Sequence, residues 1–111
     1  MKNDSFSLGM EHHVYFWLNE EHQSSESRAA FEVGLKKLFD IQEVASGSWG
    51  VPAQTEVRPV TENTWDYALS IQFASQVEHD SYQVHPEHDN FVDQFKSYWS
   101  KVQVMDLEEG D

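Results

Sequence analysis

The chain has 111 residues, with twenty Asp and Glu against seven Lys and Arg, so its formal net charge is −13 when the histidines are neutral. This length suits one domain, and an aromatic content of 14% is too high for a disordered acidic segment. The scattered Lys and Arg residues form no basic stripe, which argues against binding to nucleic acids and to anionic membranes. The lack of cysteine excludes disulfides, thiolate catalysis and cysteine-ligated zinc.

Targeting and domain boundaries are simple in this sequence. No apolar run approaches the roughly 20 residues of a membrane span, and the first residues are polar rather than typical of a signal peptide. We therefore expect a cytoplasmic protein. Residues 1–11 lack hydrophobic periodicity and are predicted to form a flexible N-terminal arm, and residues 12–107 are predicted to form the single domain.

The first half of the chain predicts a strand, a helix and an irregular strand. His13–Leu18 is a continuous apolar run, typical of a strand covered on both faces. Ser24–Ile41 places apolar residues at helical spacing after a serine-rich first turn. Glu43–Val51 and Gln54–Val60 contain Gly, Trp and Pro at short intervals, which predicts an irregular strand bent at Pro52.

The second half predicts a strand, two helices and a final strand. Trp65–Phe73 alternates large apolar and smaller residues with a period of two, as a strand does. Ser75–Glu78 matches a capping box that opens a short helix ending at Val84, and Pro86 fits the first position of another helix. Val102–Leu107 predicts the last strand. In the second of these helices Phe91, Val92, Phe95, Tyr98 and Trp99 recur at helical spacing as a single apolar stripe.

The element order β-α-β-β-α-α-β favours an α+β fold, a ferredoxin-like four-stranded antiparallel sheet with helices on one face. The residues expected to face the helices are His13, Tyr15 and Trp17 in the first strand and Tyr67, Leu69, Ile71 and Phe73 in the third. On the opposite face, Val14, Phe16 and Leu18 would lie beside Ser70 and Gln72. Such a mixed face is typical of a subunit interface, so we predict a homodimer through the sheet faces.

One short motif is more specific than the rest of the pattern: Tyr82-x-x-His85-Pro86-x-His88. Weaker parts of the same pattern are His13-Val14, Ser48-Trp49-Gly50, Tyr67–Phe73 followed by Ser75, Phe91-Val92, Lys101-Val102 and Asp106. With these residues the chain resembles the stress-responsive A/B barrel (Dabb) family of the dimeric α/β-barrel superfamily, over about residues 12–107. The resemblance implies a small, usually homodimeric protein whose sheets pair into a barrel.

Within that family the chain is similar to plant polyketide cyclases of the olivetolic acid cyclase type, which close a poly-β-ketone by aldol condensation without a cofactor. The similarity implies that Tyr82 and His88 form the catalytic pair and that His13 lines the pocket. Where that branch carries a histidine on the third strand, this chain has Tyr67. The residues that correspond to the pocket for an alkyl tail are Tyr15, Trp17, Phe31, Leu69 and Ile71.

The chemistry of these side chains allows several interpretations. A histidine can exchange a proton near neutral pH, and a tyrosine hydroxyl can polarise a carbonyl, so Tyr82 and His88 suit proton abstraction next to a carbonyl. Both histidines of the motif also have structural interpretations, because His85 can cap the helix that follows and His88 can hydrogen-bond across the helix junction. His13 and Tyr67 are expected either to bond each other or to line the pocket with His85.

Metal binding deserves separate consideration because imidazoles and carboxylates are good ligands for first-row metals. The residues that could contribute are His12, His13, His85, His88, Glu87 and Asp89. His12 and His13 point to opposite faces of a strand, and no second helical histidine pair is present, so we predict no metal and no cofactor. His22 and His79 are expected on the solvated surface.

The function expected from the sequence is binding of a small, partly apolar organic molecule between sheet and helices, in a stress response or in catabolism. The alternative is a cofactor-free cyclase or isomerase, with His88 as the base, Tyr82 as the polarising group, and His13 and Tyr67 as orienting groups. A structural dimer without a ligand is a third interpretation. A pocket reached by both Tyr82 and His88 would favour the first two.

Overall fold

The computed structural model describes residues 9–110, which contain four strands and three α-helices. In chain order these are β1 (Met10–Leu18), α1 (Ser25–Leu38), β2 (Ser46–Gly50), β3 (Tyr67–Phe73), α2 (Gln76–Gln83), α3 (Pro86–Phe95) and β4 (Trp99–Glu108). One 3₁₀ turn, Glu20–His22, connects β1 to α1. Most of the arm expected over residues 1–11 lies outside the described residues, and Met10 and Glu11 belong to β1.

The sheet confirms the ferredoxin-like architecture. Its strand order is β2-β3-β1-β4, and every neighbouring pair is antiparallel. The two long central strands, β1 and β3, carry most of the core, and β4 is an edge strand. None of the described helices is long and apolar enough to cross a membrane.

The expected strand over Gln54–Val60 is wrong. Only Ser46–Gly50 pairs with β3, and residues 51–66 form a long connection without helix or strand. Pro52 has no amide proton to continue the ladder. Val57 and Val60 are exposed, so the segment has no buried face that would favour a strand.

The predicted orientation of β1 is also wrong. Val14 lies opposite Leu69 and His12 opposite Ile71, and residues directly opposite each other in a sheet share a face. The residues of β1 that face the helices are therefore Met10, His12, Val14, Phe16 and Leu18, and all of them are buried. Val14, Phe16 and Leu18 belong to the core and not to an outer interface.

The physical reason is that the apolar run of β1 does not alternate, so its sequence does not determine which face is buried. Pairing with β3 determines the register, and a shift of one residue moves every side chain to the other face. The outer face suits the amphipathic aromatic residues. Trp17 donates its indole N–H to the Thr64 hydroxyl at 2.9 Å, and the Lys101 ammonium lies 4.4 Å from the Trp17 ring centroid.

The helices begin where the sequence predicts, but the helical stripe expected to include Tyr98 and Trp99 is wrong, because α3 ends at Phe95 and Trp99 begins β4. The Ser24 hydroxyl accepts from the amide of Ser27 at 3.1 Å, and the Ser75 hydroxyl accepts from the amide of Val77 at 3.2 Å. These bonds satisfy amides that the first turn of a helix leaves unpaired. The helices pack through an aromatic cluster at the centre of the core, formed by Phe16, Phe31, Tyr67, Phe91 and Phe95.

Candidate functional site

A cavity of about 270 Å³ lies between the helix-facing sides of β1 and β4 and the helices α2 and α3. The cross-strand pairs of its floor give it two chemically different ends. His12 lies opposite Asp106 at the beginning of β1, whereas Phe16 lies opposite Val102 further along. The Phe16 ring lies 5.3 Å from that of Trp99. The cavity therefore has a polar end and an aromatic end.

The polar end is built on a pair between a buried histidine, His12, and a partly exposed carboxylate, Asp106. The Nδ1 atom of His12 lies 2.6 Å from the Asp106 carboxylate, and His12 is only 4% exposed. An ionised carboxylate accepts but does not donate, so Nδ1 carries the proton and Nε2 keeps its lone pair. Burial lowers the pKa of His12, and the Asp106 carboxylate opposes that effect. The pair thus favours a neutral imidazole held in one orientation.

Tyr82 and His88 do meet in this cavity. The Tyr82 ring, buried on α2, lies edge-on to the His88 ring at 4.9 Å and 6.0 Å from the His12 ring. Burial raises the pKa of Tyr82 well above its usual value, which keeps the phenol protonated and able to donate a hydrogen bond. Their catalytic role stays a prediction.

The imidazole of His88 has an unused polar atom. Burial lowers the pKa of His88, so the ring is predominantly neutral at neutral pH. Its Nδ1 atom is buried and has no hydrogen-bond partner among the described residues. Because buried polar atoms are normally paired, this nitrogen points to a group that the protein does not supply.

His79 is a site residue that the sequence interpretation placed on the surface. Its ring packs edge-on against His12 at 5.0 Å, and its Nε2 atom lies 3.9 Å from Asp106. A signal for this was present, because His79 and Tyr82 are three residues apart and therefore share one face of α2. His22 is not fully solvated either, since it stacks on the Tyr98 ring at 3.9 Å.

Three predicted pocket residues, His13, Tyr15 and Trp17, lie on the outer face of the sheet and not in this cavity. The Nε2 atom of His13 lies 2.9 Å from the Glu11 carboxylate, and Tyr15 packs on Trp65 at 5.2 Å. The expected pairing of His13 with Tyr67 fails for the same reason. It is His12 that the register places at the cavity.

The other predicted pocket residues divide between the cavity and the core. Leu69 lines the cavity, whereas Phe31, Tyr67 and Ile71 are fully buried in the core beside it. The Tyr67 hydroxyl donates to Glu32 at 2.5 Å, so its polar atom is satisfied. His85 caps α3, because its Nδ1 accepts from the amide of Glu87 at 3.0 Å. The structural interpretation of His85 is therefore confirmed.

The sequence profile described as the stress responsive A/B barrel domain matches residues 10–109. The chain belongs to the stress-responsive A/B barrel domain family. A member of this family from Mesorhizobium loti has a solved structure with a ferredoxin-like fold. It is 27% identical, the match covers 93% of this chain and 99% of that chain, and the TM-score is 0.74. No curated protein matches this A/B barrel chain by sequence.

Two more distant structures share the fold alone. A dimeric ferredoxin-like protein of unknown function from Thermobifida fusca is 17% identical, with 91% of each chain covered and a TM-score of 0.73. The hydroxynitrile lyase from Passiflora edulis is also 17% identical, with 93% of this chain and 94% of that chain covered and a TM-score of 0.74. The A/B barrel fold of this chain thus occurs in an enzyme and in proteins of unknown function.

Proposed function

We propose that the cavity binds a small, partly apolar organic molecule that carries a carbonyl or enol group. The observation that carries this proposal is that His88, whose Nδ1 atom has no hydrogen-bond partner among the described residues, lines the same cavity as the Tyr82 phenol. A carbonyl oxygen accepts from a phenol, and an enol hydroxyl donates to a neutral imidazole nitrogen. The apolar part of such a ligand would contact Phe16 and Trp99, which form the aromatic end of the cavity.

Size and charge narrow the class of ligand. About 270 Å³ is near the lower limit of ligand pockets, which span about 300–1,000 Å³, so the ligand is small. The Asp106 carboxylate at the polar end and a net charge of −13 disfavour phosphates and carboxylates. A neutral ketone or β-diketone with a short alkyl or aryl group fits both constraints.

Binding can be tested with heptane-2,4-dione as a probe, by calorimetry and by the thermal unfolding of the full chain. A ligand at about 100 times its Kd stabilises the native state by about 2.7 kcal/mol. Val104→Phe should abolish the effect because Val104 lines the cavity and is half exposed, so a larger ring can fill the space. Val77→Phe, the same change on the exposed side of α2, is the matched control. Binding that survives Val104→Phe would contradict the proposal.

A second function is favoured by the His12–Asp106 pair. A neutral, buried imidazole oriented by a carboxylate is the arrangement of a general base. We propose that Nε2 of His12 removes a proton from the carbon next to the ligand carbonyl, while the Tyr82 hydroxyl donates a hydrogen bond to the enolate oxygen that forms. The products are an imidazolium and an enolate. Return of the proton to the same carbon regenerates the ketone with hydrogen exchange, and its transfer to the enolate oxygen gives the enol tautomer.

Proton abstraction can be separated from binding by hydrogen–deuterium exchange. The protein should accelerate exchange at C3 of heptane-2,4-dione in D₂O, followed by NMR, by about 10²–10⁴-fold over buffer. Asp106→Asn should lose most of this acceleration and keep the binding of the diketone. The matched control is Asp93→Asn, a change at an exposed residue of α3, which should alter neither the exchange rate nor the binding. If the protein binds heptane-2,4-dione but does not accelerate exchange at C3, the proposed proton abstraction is refuted and the proposed binding stands.

We further propose that the chain forms a homodimer through the outer face of the sheet. In the single chain the outer face of β4 exposes apolar surface, with Met105 at 48% exposure. Tyr15 and Trp17 extend this apolar surface across the outer face. Exposed patches of this kind are typical of interfaces, and the similar protein from Thermobifida fusca is dimeric.

Sedimentation velocity of the full chain tests the dimer. Met105→Asp places a charge in the centre of the proposed interface and should produce monomers at micromolar concentration. Val60→Asp places the same charge on an exposed residue of the 51–66 connection and should leave the dimer intact. A monomeric wild-type protein, or a dimer that tolerates Met105→Asp, would contradict this interface.

A further inference from the structure

We propose that His12, His79 and Asp106 form a binding site for a first-row divalent metal ion, with Zn²⁺ as the best fit. The three side chains come from three elements, β1, α2 and β4, and each offers one ligand atom within 4.8 Å of the others. No other such group of three potential ligands occurs among the described residues.

The distances suit a tetrahedral ion. With Zn–N and Zn–O bonds of about 2.0–2.2 Å, neighbouring ligand atoms in a tetrahedral site lie about 3.3 Å apart. The two distances to the Asp106 carboxylate lie on either side of this value, at 2.6 Å from His12 Nδ1 to Oδ1 and 3.9 Å from His79 Nε2 to Oδ2. A rotation of the Asp106 carboxylate changes both distances without any movement of the backbone. A metal ion would then replace the proton on Nδ1 of His12 that is hydrogen-bonded to Asp106.

The orientation of His79 is the second observation. Its Nδ1 atom lies 2.9 Å from the Asp80 carboxylate, while its Nε2 atom is directed towards Asp106. Histidines that bind metals commonly donate their other ring N–H to a carboxylate, which fixes the tautomer and makes the free nitrogen a better ligand. Asp80 provides this support although its own carboxylate is exposed.

The surroundings provide both an entry route and an open coordination position. A second hollow of about 400 Å³, between α2 and the ends of β1 and β4, shares His79 and Asp106 with the cavity, and Glu108 adds a carboxylate to its wall. A cation can therefore reach the group from solvent. On the other side all three side chains line the cavity, so the fourth position of a tetrahedral ion faces the space proposed for the ligand.

The ligand types define the metal. Two imidazoles and one carboxylate suit zinc and other first-row ions, whereas Mg²⁺ and Ca²⁺ prefer oxygen ligands. The site does not rest on the proposed function, although it shares His12 and Asp106 with the proton-transfer pair. Asp80 supports the metal set and does not line the cavity, which allows the two proposals to be tested separately.

The test uses the full chain without an affinity tag, titrated with Zn²⁺ by calorimetry and with Co²⁺ by visible absorption. We expect saturation at one ion per chain at low micromolar concentration and the visible bands of four-coordinate Co²⁺. His79→Gln should weaken the metal affinity at least tenfold. Asp80→Asn should weaken the metal affinity by about 10–100-fold through the loss of the supporting carboxylate, and it should keep the binding of heptane-2,4-dione because Asp80 does not line the cavity. His22→Gln removes an imidazole that does not belong to the proposed metal site and should leave the metal affinity unchanged.

Three results would overturn the proposal. They are the absence of saturable Zn²⁺ binding, unchanged affinity in His79→Gln, and an equal loss in His22→Gln. If His79→Gln fails to fold, Asp80→Asn and the Co²⁺ spectrum of the wild type decide, because neither alters a ligand. Loss of metal binding with the diketone still bound would separate this site from the proposed function.

Discussion

Gly34 is the residue at which α1 meets α3, and its replacement by alanine tests the packing that holds the cavity wall in place. A Cβ atom at this position would lie 2.3 Å from Cε2 and 2.8 Å from Cζ of Phe95. The Phe95 ring is held in place by neighbouring aromatic rings. Phe95 is 1% exposed, and its ring lies 5.3 Å from that of Phe31 and 5.3 Å from that of Phe91.

Two opposing effects determine the size of the change. Alanine favours the helical conformation of α1 by about 1 kcal/mol over glycine. Overpacking a filled core costs about 1–3 kcal/mol, and a contact as short as 2.3 Å belongs at the upper end. We therefore expect Gly34→Ala to lower the free energy of unfolding by about 2 kcal/mol. Because α3 also carries His88 and Phe91, the displacement should weaken ligand binding in the cavity.

Urea unfolding at a fixed protein concentration measures this change, which corresponds to a decrease in Tm of about 8 °C for a domain of this size. Gly50→Ala is the control, because its Cβ would have no heavy atom within 4 Å. Gly47→Ala should have a smaller effect than Gly34→Ala, since its Cβ meets only Phe39, which is partly exposed and can rotate. An unchanged or increased stability of Gly34→Ala would refute the packing of α1 on α3.

Two further predictions concern stability. The pKa values of His12 and His88 are lowered by burial, so the unfolded chain binds more protons. The free energy of unfolding should therefore decrease as the pH falls through the ordinary histidine pKa of about 6.5. His88→Gln should reduce the slope of the urea midpoint against pH. His22→Gln is the control. Ser75→Ala should lower the free energy of unfolding by about 1 kcal/mol through loss of the α2 cap, and an equal effect of Ser97→Ala would argue against a cap.

The sequence predicts the elements of this fold well wherever one residue type alternates with another. β3 alternates apolar and small residues, and its buried face is the expected one. The helices are marked by Ser24, Ser75 and Pro86, whose roles follow from local hydrogen bonding. Local signals of this kind need no knowledge of the tertiary structure, which is why they are reliable.

The site was harder to predict because its residues come together only through pairing between elements. The motif identifies Tyr82 and His88, which are close in sequence and meet in the cavity. His12 and Asp106 are 94 residues apart and become neighbours only through the register of β1 and β4. The hydrophobic pattern of each strand does not determine this register, so the sequence does not show that His12, and not His13, faces the cavity.

His12 and His13 show how register alone assigns chemistry to identical side chains. Each lies within hydrogen-bond distance of a carboxylate, Asp106 for His12 and Glu11 for His13. Only the His12 pair lies beside a cavity and close to a protonated phenol, where a ligand can be held away from water. The His13 pair lies on the outer face, which the proposed dimer would cover. A one-residue shift of β1 would exchange these environments and separate the base from Tyr82, so the pairing of β1 with β3 is a condition for any function of the cavity.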